Sequence, residues 1–381
     1  MEARIPRTVP RSRARSRPRR PPEALPLRFL AVSGLVGVLG GFAILAFAIS
    51  RGGSGPREGA LAAGESVVYA RFGTTADTVL RVAATGSASP RKLFEIPHAR
   101  EFGIVPALAP DGRAFAYTVL APDTPDPAAD TPAELWLAGL EAGAVPRKLA
   151  SGFDLMVRPL WTPDGSGIVV RRSGGGDGPY ELVRVDVASG AAATLATSSL
   201  ALFPVAWGAD RALLYVEVSP AGSDLYRLDA GGAGVRVAHL SGGLTRDWAL
   251  SPDGGKLAFL ALSQGQQAKS VVEVLDVATG AVSAAGGATD EFGPAWTADG
   301  RLSYGALQGG VRVGTEALAG PARGFDVPLA WSRAGSAVVA RTFDGSSVTA
   351  PGRQSLTLLA VGGARKTIAT GEVTFIGWTY D

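Results

Sequence analysis

The chain has 381 residues, 46% of them apolar and 51 of them glycine, enough for one large β domain with a sizeable core. It has no cysteine, so disulfides and thiolate metal sites are excluded, and its two histidines, His98 and His239, stand far apart without metal-ligand spacing. The formal charge of +3 is uneven: residues 1–51 hold ten of the 37 Lys and Arg but two of the 34 Asp and Glu, leaving 27 against 32, a net −5, for the rest.

Residues 1–28 are rich in Arg, Pro and Ser, as in Arg11-Ser12-Arg13-Ala14-Arg15. Charge repulsion and proline forbid a packed core there, so a disordered tail is expected. Its Arg cluster suits anionic lipid headgroups. Phe29 to Ser50 follows, 22 residues without a charge. As a helix rising about 1.5 Å per residue it would reach about 33 Å, enough for a hydrocarbon core of roughly 30 Å. Nine Arg precede it, whereas only Arg51 and Arg57 closely follow. The positive-inside rule then expects a cytoplasmic N-terminus and an extracytoplasmic remainder. Ala60-Leu61-Ala62 has the small-x-small form of a cleavage site but lies ten residues past the apolar run. An uncleaved anchor is therefore expected. Residues 51–64 read as a flexible Gly-rich linker.

From residue 65 to 381 a unit recurs. Ala295-Trp296-Thr297-Ala298-Asp299-Gly300 has relatives at Leu108-Ala109-Pro110-Asp111-Gly112, Trp161-Thr162-Pro163-Asp164-Gly165, Trp207-Gly208-Ala209-Asp210, Leu250-Ser251-Pro252-Asp253-Gly254 and Trp331-Ser332-Arg333-Ala334-Gly335, and the chain ends on Trp378-Thr379-Tyr380-Asp381. Proline fixes φ at the first corner, aspartate tolerates the second, and glycine accepts a positive φ. An apolar run leaves each turn, such as Gly167 to Val170 or Lys256 to Phe259, and a second hairpin follows near Asp186 and Gly190, Asp229 and Gly232, or Asp276 and Gly280. One unit is thus four short antiparallel strands.

The Trp position recurs at 108, 161, 207, 250, 296, 331 and 378, with spacings of 53, 46, 43, 46, 35 and 47 residues. That period with four strands is the mark of a β-propeller, in which each blade covers its neighbour and the Trp fills the wedge between them. Three strands' worth of pattern precede the first turn (Ser66–Ala70, Val79–Val82, Arg91–Leu93), and one lone strand, Val373–Trp378, ends the chain. Together they would make a seventh blade and close the ring without an open edge. Seven blades is the expected count, with six the alternative because the 296-to-331 unit is short.

The turn signature and its downstream hairpin resemble the Pro-Asp-Gly repeats of TolB-type propellers, relatives of the WD repeat, over residues 65 to 381. The resemblance implies fold more than function, since that family holds scaffolds, receptor propeller domains and peptidase accessory domains.

Motifs that would specify chemistry are few. There is no Gly-x-Ser-x-Gly elbow, and the propeller pattern runs to residue 381, so no hydrolase domain is expected behind it. Asp123, Asp126 and Asp130 lie in a Pro/Asp insertion between two strands of one blade, without calcium-loop spacing. Ser173 to Gly178 has the glycines of a phosphate cradle but no following Lys-Ser/Thr, and reads as a hairpin loop. No cofactor is expected. The remaining candidate is one mouth of the central channel, where segments leading into the innermost strands bring Arg100, Glu101, Asp154, Arg158, Arg246, Asp247, Asp290, Glu291 and Asp326. The expected function is a membrane-anchored, non-enzymatic scaffold binding an envelope protein or peptide outside the membrane. A carbohydrate- or small-ligand-binding sensor is the alternative, and a hydrolase or lyase using channel carboxylates the third. Nucleic acid is not expected at the acidic propeller.

Overall fold

In the computed structural model, the described residues are 64–380 apart from 87–88, 129, 176–177, 230–231, 263–268, 288–289 and 308. The apolar stretch Phe29 to Ser50 and the Arg-rich tail lie outside them. Among the described residues no helix is long and apolar enough to cross a membrane.

Twenty-eight strands among the described residues form seven four-stranded sheets. Six are up-and-down meanders of consecutive strands. The seventh, blade 1, is composite. The C-terminal strand Val373–Tyr380 pairs antiparallel with the N-terminal strand Glu65–Arg71, Tyr380 opposite Glu65 and Val373 opposite Arg71. The expected closure is present and the count is seven. Counting on from blade 1, the innermost strands are Val105–Leu108, Leu160–Trp161, Ala201–Trp207, Thr245–Leu250, Glu291–Trp296 and Phe325–Trp331. Each touches the next, and the last touches blade 1, so they ring a central channel. The short blade 6 is real but thin: its outer strands are Val311–Val313 and Glu316–Ala317.

The turns are built as their residues dictate. The Gly165 amide donates to the Thr162 carbonyl at 2.9 Å, and Gly165 has φ 71°. The Asp164 carboxylate accepts from the Thr162 hydroxyl at 2.6 Å and the Ser166 amide at 3.1 Å. These donors hold its pKa down at about 2.

The Trp residues do more than fill wedges. Four indole N–H groups at the repeated Trp position reach the innermost strand of the preceding blade: Trp161 to the Ala107 carbonyl at 2.9 Å, Trp207 to that of Trp161 at 2.8 Å, Trp296 to that of Ala249 at 2.8 Å and Trp378 to that of Ala330 at 3.1 Å. In blade 7 the bond is relayed. Trp331 donates to the Ser303 hydroxyl at 2.8 Å, and Ser303 donates to the Ala295 carbonyl at 2.7 Å. A carbonyl on the inner edge has no further strand to bond, so the indole satisfies a group that would otherwise be orphaned in a dry wedge. Blades 2 and 5 carry Leu108 and Leu250 instead. Leu108 fits against blade 1 because Gly377 faces it: a Cβ there would lie 2.4 Å from the leucine Cδ2.

The core is distributed between blades. One cluster joins Leu329 and Val339 of blade 7 to Val67, Phe375 and Trp378 of blade 1; another joins Val68 and Ile376 of blade 1 to Phe115 and Tyr117 of blade 2. Burying both faces of every sheet in this way is what a lone four-stranded sheet cannot do.

Candidate functional site

In each blade the Pro-Asp-Gly-type turn follows the innermost strand, so the turns mark one end of the channel. At the other end lie the segments leading into those strands and the loops between second and third strands. The candidate residues belong to this second end.

The innermost strands are not regular there. Register shifts recur just before the Trp position in five blades: at Ile376, Val205 and Leu329 one residue is skipped. In blades 5 and 6 the bulge is wider. Arg246 pairs with Leu260 and Ala249 with Ala258, leaving Asp247 and Trp248 unpaired; Phe292 and Ala295 likewise bracket Gly293 and Pro294. The residue three before the Trp position begins both wide bulges, and both adopt a left-handed backbone, Gly293 at φ 52° and Asp247 at φ 56°. For glycine that costs nothing; for aspartate it stores about 1 kcal/mol of strain. Among the described residues five non-glycine residues have positive φ, and three of them, Glu101, Asp247 and Asp290, lie on segments that feed innermost strands.

Asp247 is also electrically frustrated. Its side chain is 13% exposed, and Oδ1 has no hydrogen-bond partner. Burial lifts its pKa to about 6, against the pull of Arg246 and Arg341. Arg246 Nε stands 3.9 Å from Oδ2 and makes no hydrogen bond. Arg341 belongs to the second strand of blade 7, and burial lowers its guanidinium to a pKa of about 10 although the Asp247 charge supports it. Blade 6 separates blades 5 and 7 along the ring, so this influence joins two blades that are not neighbours. At the same register position in blade 3 stands Arg158. Its Nη1 is buried without a partner, and burial alone brings its pKa to about 10. Val105, Pro204, Pro328 and Phe375 hold this position in the other blades.

The other sequence candidates divide differently. Arg100 and Glu101 are exposed, 3.7 Å apart, at the rim. Asp154 is paired with Arg171, whose guanidinium also lies 4.6 Å over the ring of Phe203. Asp290 begins the segment into blade 6 with φ 60°. Glu291 is fully buried between blades: Oε2 accepts the Val272 amide of blade 5 at 2.8 Å, while Oε1 has no partner. Asp326 is fully buried inside blade 7, where Arg365 grips both its oxygens at 2.7 and 3.0 Å and Thr342 donates to it at 2.6 Å. The structure therefore brings Arg246 and Asp247 together at the channel, sets Arg158 at the matching position, and assigns Glu291 and Asp326 to the frame. Sequence reasoning missed Arg341, because nothing in a strand reading Ala337–Phe343 says that its one charge faces a carboxylate two blades away.

Beside these charges lies apolar surface. Met156 and Leu244, which lead into blades 3 and 5, are 40% and 42% exposed. Half-buried Phe203 and Trp248 bridge blades 4 and 5 with ring centroids 5.5 Å apart.

Neither histidine joins the site. His98 is buried and bonded on both nitrogens, to the Ala99 carbonyl at 2.8 Å and Asp77 at 3.2 Å, and His239 contacts Asp224 at 2.8 Å on the surface. Among the described residues no group of three or more His, Asp or Glu is placed to hold a metal ion.

No protein-family model matches the chain, and no curated protein matches it in sequence. Its structure is similar to TolB from Acinetobacter baumannii, with a TM-score of 0.49 and 17% identity over 82% of this chain and 66% of that one. It is similar to the β-propeller domain of the trilobed protease from Pyrococcus furiosus, with a TM-score of 0.53 and 14% identity over 80% and 94%. That domain has an open velcro topology, whereas here the terminal strand closes blade 1. An oligogalacturonate lyase in complex with manganese gives 0.51 and 13% over 76% and 86%. At these identities the likeness is one of fold: the chain is a seven-bladed β-propeller, with TolB proteins and the propellers of enzymes among its structural neighbours.

Proposed function

We propose that this protein is a non-enzymatic binding propeller, anchored by Phe29 to Ser50 and displayed outside the membrane, which holds a protein or peptide at the channel mouth of blades 3 to 5. One observation carries the binding reading. Arg158 Nη1, Arg246 Nε and Asp247 Oδ1 are buried polar atoms without partners, and Asp247 has a strained backbone, all at one end of the channel. A fold under selection for stability alone would fill the Arg158 and Asp247 positions as blades 4 and 7 do, with proline. Buried donors and an acceptor left open are useful when a ligand completes them. The anchor and its direction rest on the uncharged 22-residue stretch and the nine Arg before it.

The test is positional. A photo-crosslinking residue at Met156 or Leu244 in the full-length protein should capture one dominant polypeptide in the native membrane, and the same group at Pro163, at the turn end, should not. Equal capture at both ends would remove the mouth as the site. Absence of any polypeptide adduct, with thermal stabilisation by a sugar or other small molecule, would replace the scaffold by the sensor reading. Protease added outside intact cells should degrade the propeller and spare the tail; the reverse would overturn the topology.

A further inference from the structure

The buried ring of His98 does not balance its hydrogen bonds as a neutral group. Its side chain is 0% exposed. Nδ1 lies 2.8 Å from the Ala99 carbonyl oxygen and Nε2 lies 3.2 Å from Asp77 Oδ1. Both neighbours are acceptors. A neutral imidazole has one N–H and one lone pair, so either tautomer sets a lone pair against an oxygen in a dry site. The bonds are complete only when the pair holds one proton more than a neutral ring beside an ionised carboxylate. Two amides already donate to Asp77, that of Ile104 at 2.9 Å and that of Gly73 at 3.3 Å. They favour the carboxylate and put the extra proton on the ring. Desolvation lowers the His98 pKa, but the hydrogen bonds to Asp77 and Ala99 and the Asp77 charge outweigh it, and the net direction is upward from 6.5. The other surroundings bring no rival charge. Phe72 stacks on the ring with centroids 5.8 Å apart, and the adjoining Ala99 packs on Leu120, Ala133 and Leu155. Arg100 and Glu101, on the same segment as His98, are 76% and 72% exposed. Asp77 is the one charged group among the described residues that moves it.

The pair sits at a seam. Asp77 lies at the start of the second strand of blade 1, Ala76–Ala83. Residues 98–104 carry the chain from blade 1 into the innermost strand of blade 2, at the mouth end of the channel. The His98 amide donates to the Thr75 carbonyl at 2.9 Å and the Glu101 amide to the Thr74 carbonyl at 2.8 Å, with Glu101 held at φ 68°. Gly103 fits over the carboxylate because it has no Cβ, which would lie 2.9 Å from Asp77 Oδ2. The crossing is thus wrapped round one carboxylate, and the exposed Arg100 and Glu101 at the rim ride on it. We propose that the His98–Asp77 pair is a proton-operated latch: protonated, it fastens the 98–104 crossing to blade 1, and deprotonated, it leaves a lone pair against an oxygen and frees the crossing and the rim it carries. By linkage the fastening is fully present below pH 6.5 and is lost as pH rises through the raised value.

The chain has two histidines, so the full-length protein with isotope-labelled histidine gives two sets of ring signals, told apart by His239→Gln. The His98 signal should titrate with a midpoint above 6.5. Amide exchange of residues 98–104, corrected for the intrinsic effect of pH, should quicken at least about fivefold across that midpoint. Asp77→Asn offers its carbonyl to the Ile104 amide and its NH2 group to a neutral ring, so it completes the pair without the extra proton. In that variant the His98 midpoint should fall below the wild-type one, and the corrected exchange should no longer depend on pH. If the variant fails to fold, the two wild-type curves still decide. A wild-type His98 midpoint below 6.5 would overturn the proton count. A midpoint above it, with exchange of the crossing flat across the titration, would leave a plain buried ion pair and overturn the latch.

Discussion

Blades 5 and 6 share a wide bulge in their innermost strands and fill it with different chemistry. In blade 6 the left-handed residue is Gly293, and the choice is steric: an added Cβ would lie 2.7 Å from the Pro328 carbonyl oxygen of blade 7. In blade 5 the same backbone turn is made by Asp247, buried, strained and with an open oxygen. One bulge is packed shut against its neighbour; the other leaves room for a charged side chain. The contrast separates what the ring needs to close from what it tolerates for another purpose.

Both bulges depend on ring closure, so the largest effect comes from breaking it. Deleting Val373 to Asp381 removes the innermost strand of blade 1 together with Phe375 and Trp378 from its core cluster. Circular dichroism should then show no cooperative melting transition. Putting aspartate where blade 6 has glycine is the next step down. Gly293→Asp should cost about 3 kcal/mol in denaturant unfolding, because its Cβ meets backbone that cannot yield. A neutral result would mean that the two bulges are interchangeable and that Asp247 is unremarkable. Trp331→Phe, which cuts the relay through Ser303 to the Ala295 carbonyl, should cost about 2 kcal/mol.

The smallest effect lies at the opposite end of the channel. Asp164 has a depressed pKa, so its contribution is present above about 3.8 and lost as pH falls toward about 2. The carboxylate is largely exposed, and solvent screening leaves only a few tenths of a kcal/mol. Asp164→Asn should lower stability by those few tenths of a kcal/mol near neutrality, and its curve should converge on the wild-type one as pH falls toward about 2.

The repeat was legible because turn chemistry is local. Pro163, Asp164 and Gly165 act within four residues, and the Trp period counts blades directly. The closure was legible for the same reason: a lone strand at Val373 and three strands after Glu65 can complete only one sheet. The site was half legible. Sequence places Asp247 and Asp326 on equivalent segments, but they are three and five residues before their Trp positions, and the intervening bulge sends them to different surroundings. Asp326 finds Arg365, 39 residues on, in its own blade; Asp247 finds Arg341 from two blades away. Those partners are set by radial packing, which no spacing records. The indole hydrogen bonds were missed likewise, since their acceptors are backbone carbonyls and leave no side-chain signature.

That Asp247 is held against its own preference is tested most directly by its pH-resolved stability. An aspartate with a raised folded-state pKa contributes stability below its ordinary value near 3.8 and loses it as pH rises through about 6. Asp247→Asn keeps the left-handed backbone, which asparagine tolerates, and removes the buried charge. Melting of wild type and variant should coincide below about pH 4 and separate as pH rises through 6, the variant ending higher by on the order of 2 kcal/mol. Curves that run parallel across this range, or a variant less stable at neutral pH, would show that Asp247 supports the fold as an ordinary ion-pair partner and would contradict the account.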